Sequence, residues 1–250
     1  MKRTLDTSRE IKHVLFAIAM EAEAKPFLEK MKLSAIDHAH SSLSMQLYQG
    51  TYKDMTLSVV VNGKCSRFGV DCVGTTPAAL STYLAVSHIG PDLVVNAGTA
   101  GGFRSKGAAI GDVFVATSFA HHDRRIPIPG FTEYGVGNHD AHEAPNLVQH
   151  LGCKAGVVTT SNSLDHTTED DKHMSANDAA VKDMEGAAIA WVAEQTSTAL
   201  LGVKVVTDIV DGERATQEEF LENLGTAAKS LQEVLPKLVD FISGKRLSDL

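Results

Sequence analysis

Three apolar runs in this chain stop at an acid, and that pattern constrains the fold more than any other feature. Phe16-Ala17-Ile18-Ala19-Met20-Glu21-Ala22-Glu23 closes on Glu23, and Leu200–Val206 leads to Asp208. Lys182-Asp183-Met184-Glu185-Gly186-Ala187-Ala188 sets Glu185 at a strand-to-helix corner. Continuous apolar runs of this length read as strands buried on both faces, which require helices above and below the sheet. The segment after Glu185, Gly186 to Ala193, is small and apolar nearly all round, the mark of a buried helix. Placed at that helix's N-terminus, Glu185 is expected to be held in its charged form by free N–H groups and the helix dipole. Each acid taken singly fits an N-cap or a surface turn equally well. Three at the ends of hydrophobic strands point to one site.

The 250 residues are 43% hydrophobic, enough for a sizeable core, and the formal net charge of −8 argues against binding nucleic acid or acidic lipid. Cys65, Cys72 and Cys153 have no zinc-like spacing and are odd in number, which suggests reduced thiols in the cytoplasm. The first six residues carry no apolar signal core, and no run is long enough to span a membrane. Residues 1–10 are expected to be a disordered leader and 11–250 one α/β domain.

Along the chain, Lys12–Ala19 predicts a strand and Glu21–Met31 a helix that tolerates Pro26. Ser44–Tyr48 and Thr56–Val61 predict a hairpin turning over Gly50–Asp54, and a small-residue helix follows to about His88. Pro91–Ala97 predicts a strand running into the Gly-rich turn Asn96–Gly102, where a ligand can approach the backbone closely. That turn lacks dinucleotide or P-loop spacing. Asp112–Ala120 and Lys154–Thr160 predict strands, and Ser161–Lys172 a polar loop. Thr216-Gln217-Glu218-Glu219 fits a capping box opening a last helix, which Pro236 is expected to kink and Gly244 to end. His121-His122-Asp123 invites a metal. Neighbouring strand residues point to opposite faces, so an interface or pocket-wall loop, continued by the proline-rich Ile126–Gly130, is the better reading.

With these motifs in order, from Ala19-Met20-Glu21-Ala22-Glu23 through Asn96–Gly102, His122–Pro129, Asp183–Ala187 and Thr207-Asp208 to Leu247–Leu250, the chain resembles the nucleoside phosphorylase/nucleosidase family. Within it, the likeness is to the plant-type 5′-methylthioadenosine nucleosidases, and it covers nearly everything from Val14 to Leu250. The resemblance implies a three-layer α/β/α sandwich around a mixed, partly barrel-like sheet, and a homodimer. It also implies hydrolysis of the N-glycosidic bond of 5′-methylthioadenosine in methionine salvage. By the same resemblance Asp208 is the general acid toward adenine N7, Glu23 the base that polarises water, and Glu185 the ribose ligand, with Met184 along the sugar. Adenine would lie against Leu164 and backbone groups near Asp165, over Ala100 and Gly101. Thr99 and Lys204 join the substrate-binding residues. Met20, Phe220 and the Arg125–Pro129 loop of a neighbouring subunit would surround the methylthio group. No cofactor or metal is implied.

Glu21 and Glu23 occupy the loop where superfamily phosphorylases place Gly and Arg for phosphate, and two carboxylates repel a phosphate dianion. Lys64 and Arg67 keep a phosphate-dependent phosphorylase as an alternative, and an inactive nucleoside-binding or storage relative is another. Asn162 stands where the family commonly has Asp and is expected to weaken the setting of Asp208. His166 replaces a common Met near the 5′ end, so S-adenosylhomocysteine cleavage does not follow from the resemblance.

Overall fold

Alternation along the buried strands decides the layering in this computed structural model, which describes residues 6–37 and 42–250. In β1 (His13–Ile18) Val14, Phe16 and Ile18 enter one core cluster, whereas Leu15 and Ala17 enter the other. The elements then run α1 (Glu21–Met31), β2 (Ser34–Ile36), β3 (Gln46–Tyr52), β4 (Met55–Val61), α2 (Thr75–Ile89), β5 (Leu93–Gly102) and β6 (Val113–His121). After these come α3 (Phe131–Val136), β7 (His139–Asp140), α4 (Pro145–Leu151), β8 (Lys154–Thr160) and α5 (Thr168–Ala176). The chain ends with β9 (Ala179–Asp183), α6 (Gly186–Thr196), β10 (Ala199–Ile209) and α7 (Thr216–Ile242). One core cluster packs α1, α4 and α7 against the sheet; the other packs α2 and α6 on its opposite face.

The sheet is mixed and partly closed. β5 pairs with β10 and β9, β10 with β6, β6 with β8, and β8 with β9, which closes a five-strand barrel. From β5 the sheet continues open through β1, β4, β3 and β2. The three-layer, partly barrel-like α/β architecture expected from the resemblance is what forms.

Several local expectations change. The segment Asn96–Gly102 is no turn: β5 stays paired with β10 as far as Gly101↔Asp208 and Gly102↔Ile209. None of Gly98, Gly101 and Gly102 has a positive φ, so their use lies in the space that a missing Cβ leaves. The hairpin turns over Lys53 and Asp54 alone, with Lys53 at φ 53°. The loop after β8 contains α5, because the Thr167 hydroxyl and the Asp170 carboxylate cap each other's backbone. Thr216–Glu219 makes no capping box. Ala215 is the N-cap of α7, and Glu219 instead accepts a bond from the backbone N–H of Ile209. Pro236 lies inside α7, which runs unbroken to Ile242. Residues 1–5 of the expected leader fall outside the described residues. The rest of it is tied down: Thr7 O accepts from Ser248 N and Glu10 bridges to Arg246.

Phe16 of β1 and Phe27 of α1 are both fully buried, with ring centroids 4.7 Å apart and planes tilted by 56°. Phe27→Ala leaves a cavity beneath α1 and is expected to cost about 3–5 kcal/mol. Urea unfolding should show a lower midpoint at an unchanged slope.

Candidate active site

The residues that follow β1 and β9, stretches of β5 and β10, the loop around Asp71 and the starts of α1 and α7 surround one cavity of about 380 Å³. Its wall carries five carboxylates (Glu23, Asp71, Asp183, Glu185 and Asp208) and two lysines, Lys182 and Lys204. Met20, Thr99, Gly101, Leu164, Met184 and Phe220 complete the set of sequence-derived candidates on it. Asp165 departs from that set. It is exposed on the loop beyond Leu164, and only Leu164 reaches the cavity.

Glu23, the third residue of α1, is 3% exposed. Its Oε1 accepts from the Thr99 amide and hydroxyl, each at 2.7 Å, and Oε2 from the Met20 amide at 3.3 Å. Burial raises its pKa above the usual carboxylate value, against the pull of these donors and of Lys204. Gly98 gives this carboxylate room, since a Cβ there would crowd Glu23 Oε1 at 3.3 Å. Gly101 does the same for Asp208, where a Cβ would lie 2.6 Å from Oδ2. Asp208 is 2% exposed, and its Oδ1 accepts from the Thr207 hydroxyl at 2.7 Å. Burial pushes its pKa up and the Glu219 carboxylate adds to this, while the Thr207 hydroxyl and Lys182 oppose it.

Glu185 overturns an expectation. It occupies the N-cap position of α6, yet the helix N–H groups are taken by others: Gly186 N donates to Asp183 Oδ2 (2.8 Å) and Ala187 N to Thr160 Oγ1 (2.9 Å). Glu185 accepts instead from Gly74 N at 2.8 Å, ahead of α2. Burial, then the neighbouring Asp183 charge, raises its pKa to about 7. The helix start therefore does not hold this carboxyl charged.

Asp183 is what sequence reasoning overlooked. Its Oδ2 lies 2.7 Å from Lys204 Nζ, with both side chains sealed from solvent (0% and 2% exposed), and Thr160 Oγ1 donates to its Oδ1 at 2.6 Å. An acid two places before Glu185 and a lysine inside an apolar strand were the available signals. Lys182, also unassigned from sequence, donates to the Ser163 and Leu164 carbonyls at 2.8 and 2.9 Å and so pins the loop over the cavity.

Asn162 is not beside Asp208. Its Oδ1 accepts from the Thr75 amide (2.9 Å) and hydroxyl (2.8 Å), so it caps α2, and no charge is needed there. His166 pairs with Asp171 at 2.6 Å. His122 is buried and bonds Thr159 Oγ1 through Nδ1 at 3.0 Å; burial, aided by Lys182, holds its pKa down at about 4, so it stays neutral.

Because the folded Glu185 binds its proton more tightly than an unfolded glutamate, its contribution to stability is present at low pH. That contribution is lost as pH rises from about 4.5 to about 7. Glu185→Gln keeps an acceptor for Gly74 N without a charge to bury. The variant is expected to melt higher than the parent at pH 8, by an amount on the order of 3 kcal/mol, with the difference vanishing near pH 4. Calorimetric melts across that range check both statements.

Residues 13–240 match the model of the phosphorylase superfamily. The chain is 46% identical over 246 residues to a 5′-methylthioadenosine/S-adenosylhomocysteine nucleosidase of Arabidopsis thaliana, covering 97% of this chain and 96% of that one. It is also 46% identical to a 5′-methylthioadenosine nucleosidase of the same plant, over 97% of this chain and 91% of the relative. A solved structure of Arabidopsis thaliana 5′-methylthioadenosine nucleosidase in its apo form superposes with a TM-score of 0.95, at 46% identity, covering 97% of this chain and all of that one. The chain belongs to the phosphorylase superfamily, where its sequence and its fold group it with the plant 5′-methylthioadenosine nucleosidases.

Proposed function

We propose that this protein hydrolyses the N-glycosidic bond of 5′-methylthioadenosine to adenine and 5-methylthioribose, as a step of methionine salvage. One observation carries the reading: three carboxyls buried in a single cavity, each with its pKa raised. Adenine leaves poorly as an anion. A carboxyl with a raised pKa is the better placed to deliver a proton to N7, and burial and Glu219 raise that of Asp208. As the bond lengthens the ribose becomes cationic, and surrounding acids bind that transition state more strongly than the neutral substrate. Glu23 polarises the attacking water, and Glu185 takes the ribose hydroxyls with Met184 along the sugar. Leu164 covers the base, with the amides beside Asp165 as its polar partners. Ala100 and Gly101 line the floor, Thr99 and Lys204 join the substrate-binding residues, and Met20 and Phe220 form the methylthio end. Residues 11–250 form the catalytic domain, and the reaction needs no cofactor or metal.

Charge favours water over phosphate. Both lysines of the cavity wall are committed, Lys204 to Asp183 and Lys182 to two carbonyls. Outside it, Lys64 pairs with Glu21 at 3.3 Å and Arg67 lies over the Phe68 ring at 4.9 Å. Glu21 itself is exposed, so repulsion of phosphate rests on the buried acids and not on the pair Glu21–Glu23. A storage or binding protein has no use for three buried acids that each lower stability.

A homodimer is part of this reading. Leu80 and Tyr83 of α2, Trp191 of α6 and Phe131 and Tyr134 of α3 are large apolar side chains 44–58% exposed, an area suited to a second copy. In the loop assigned to the neighbouring pocket, Arg125 is bound to Asp170 of its own chain at 2.5 Å, which leaves the 55%-exposed Ile128 to reach across. The cytoplasm is the proposed compartment, in keeping with three free cysteines.

Adenine should be released from 5′-methylthioadenosine in phosphate-free buffer with free 5-methylthioribose as co-product. Turnover only with phosphate, yielding a sugar 1-phosphate, overturns hydrolysis. S-adenosylhomocysteine in the same assay reads how long a 5′ substituent the cavity accepts. Asp208→Asn and Glu23→Gln should each lower kcat by roughly 10²–10⁴-fold while melting as cooperatively as the parent.

A further inference from the structure

The start of α7 serves two surfaces. Thr216 and Phe220 face the cavity, while Glu219 and Asn223, one helical turn apart, face the end of β10. Glu219 Oε2 accepts from Ile209 N at 2.9 Å, and Asn223 Nδ2 donates to Thr207 O at 3.0 Å. Thr207 and Ile209 are the chain neighbours of Asp208 on either side. Between Val206 and Asp208 the register of β10 against β5 shifts, an irregularity of the kind that re-aims a side chain and loosens the ladder that would hold it. Backbone bonds from α7 arrive at that point. Glu219 is 8% exposed, and its other oxygen lies 3.9 Å from Arg214, beyond hydrogen-bond reach. A buried carboxylate is thus held mainly for one backbone N–H, a bond strengthened by its charge.

We propose that Glu219 and Asn223 are positioning residues for Asp208, gripping the backbone on both sides of it and so fixing where its carboxyl points. The proposal rests on the reading of Asp208 as general acid. It ties the acid to the helical turn that brings Phe220 to the substrate, so the pocket wall and the proton donor keep one geometry. The charged groups facing Asp208 are Lys182 from β9 and Glu219 from α7; β5 presents only Gly101, and its own strand the Thr207 hydroxyl. Glu219 favours the protonated form and Lys182 the ionised one. A general acid loses activity as pH rises through its pKa, so removing the Glu219 charge moves that loss to lower pH.

The test compares pH profiles of kcat and KM for adenine release from 5′-methylthioadenosine by the parent, Glu219→Gln, Asn223→Ala and Asp208→Asn, each checked by thermal unfolding. Glu219→Gln keeps an acceptor for Ile209 N, and its alkaline limb should move down by about half a pH unit or more. Asn223→Ala removes one grip and no charge. It should lower kcat roughly tenfold or more, with KM and the alkaline limb little changed. A parent-like limb in Glu219→Gln or parent-like kcat in Asn223→Ala overturns the proposal, provided that Asp208→Asn is inactive. An active Asp208→Asn instead overturns the reading of the acid itself.

Discussion

An ammonium sealed inside the barrel, Lys204 on β10, holds the site together through Asp183 on β9. Both side chains are almost wholly buried, so each is tolerable only while the other is present. Asp183 also takes the Thr160 hydroxyl from β8 and the first amide of α6, and one carboxylate thereby joins three strands and a helix. The charge of Lys204 reaches further. It draws down the proton affinity of both Glu23 and Glu185, which burial raises. Replacing Lys204 alone would leave Asp183 charged and unpaired in the core.

Around this pair the other acids occupy space that β5 concedes. A Cβ at position 101 would displace the Asp208 carboxyl, and one at position 98 would crowd that of Glu23. Glycine weakens a strand on its own. Here β5 is held by β1, β9 and β10 along its length, so the loss is absorbed by pairing. The result is a floor of bare backbone with acids at its edges, which suits a flat base and a sugar that becomes positive.

Such a site opposes stability. Glu23, Glu185 and Asp208 all bind protons more tightly than in water because the fold has removed their solvent. The hydrophobic layers on both faces of the sheet offset that strain. The same desolvation raises the proton affinity that a general acid needs, so strain and chemistry share one origin.

The sequence alone determined the alternation of buried strands and helices, and the three acids that close apolar runs, because these depend on local periodicity and on abrupt changes of polarity. The family motifs carried much of the rest of the cavity wall, but they assigned no role to Asp183 or Lys182 and included Asp165, which lies off it. It misjudged residues whose partners lie elsewhere in the fold. The glycines of β5 read as a turn, since nothing local says that carboxylates will pack over them. Glu219 read as a cap for its own helix, since Thr-x-x-Glu looks the same whether or not the glutamate reaches back to Ile209. Asn162 read as a weakened partner of Asp208, yet it caps a helix that begins 87 residues earlier. Glu185 read as charged, since only packing shows that Asp183 and Thr160 have taken the helix amides. Ionisation and hydrogen-bond partners depend on what is excluded from a site as much as on what is near in the chain, and that exclusion exists only once the layers have closed.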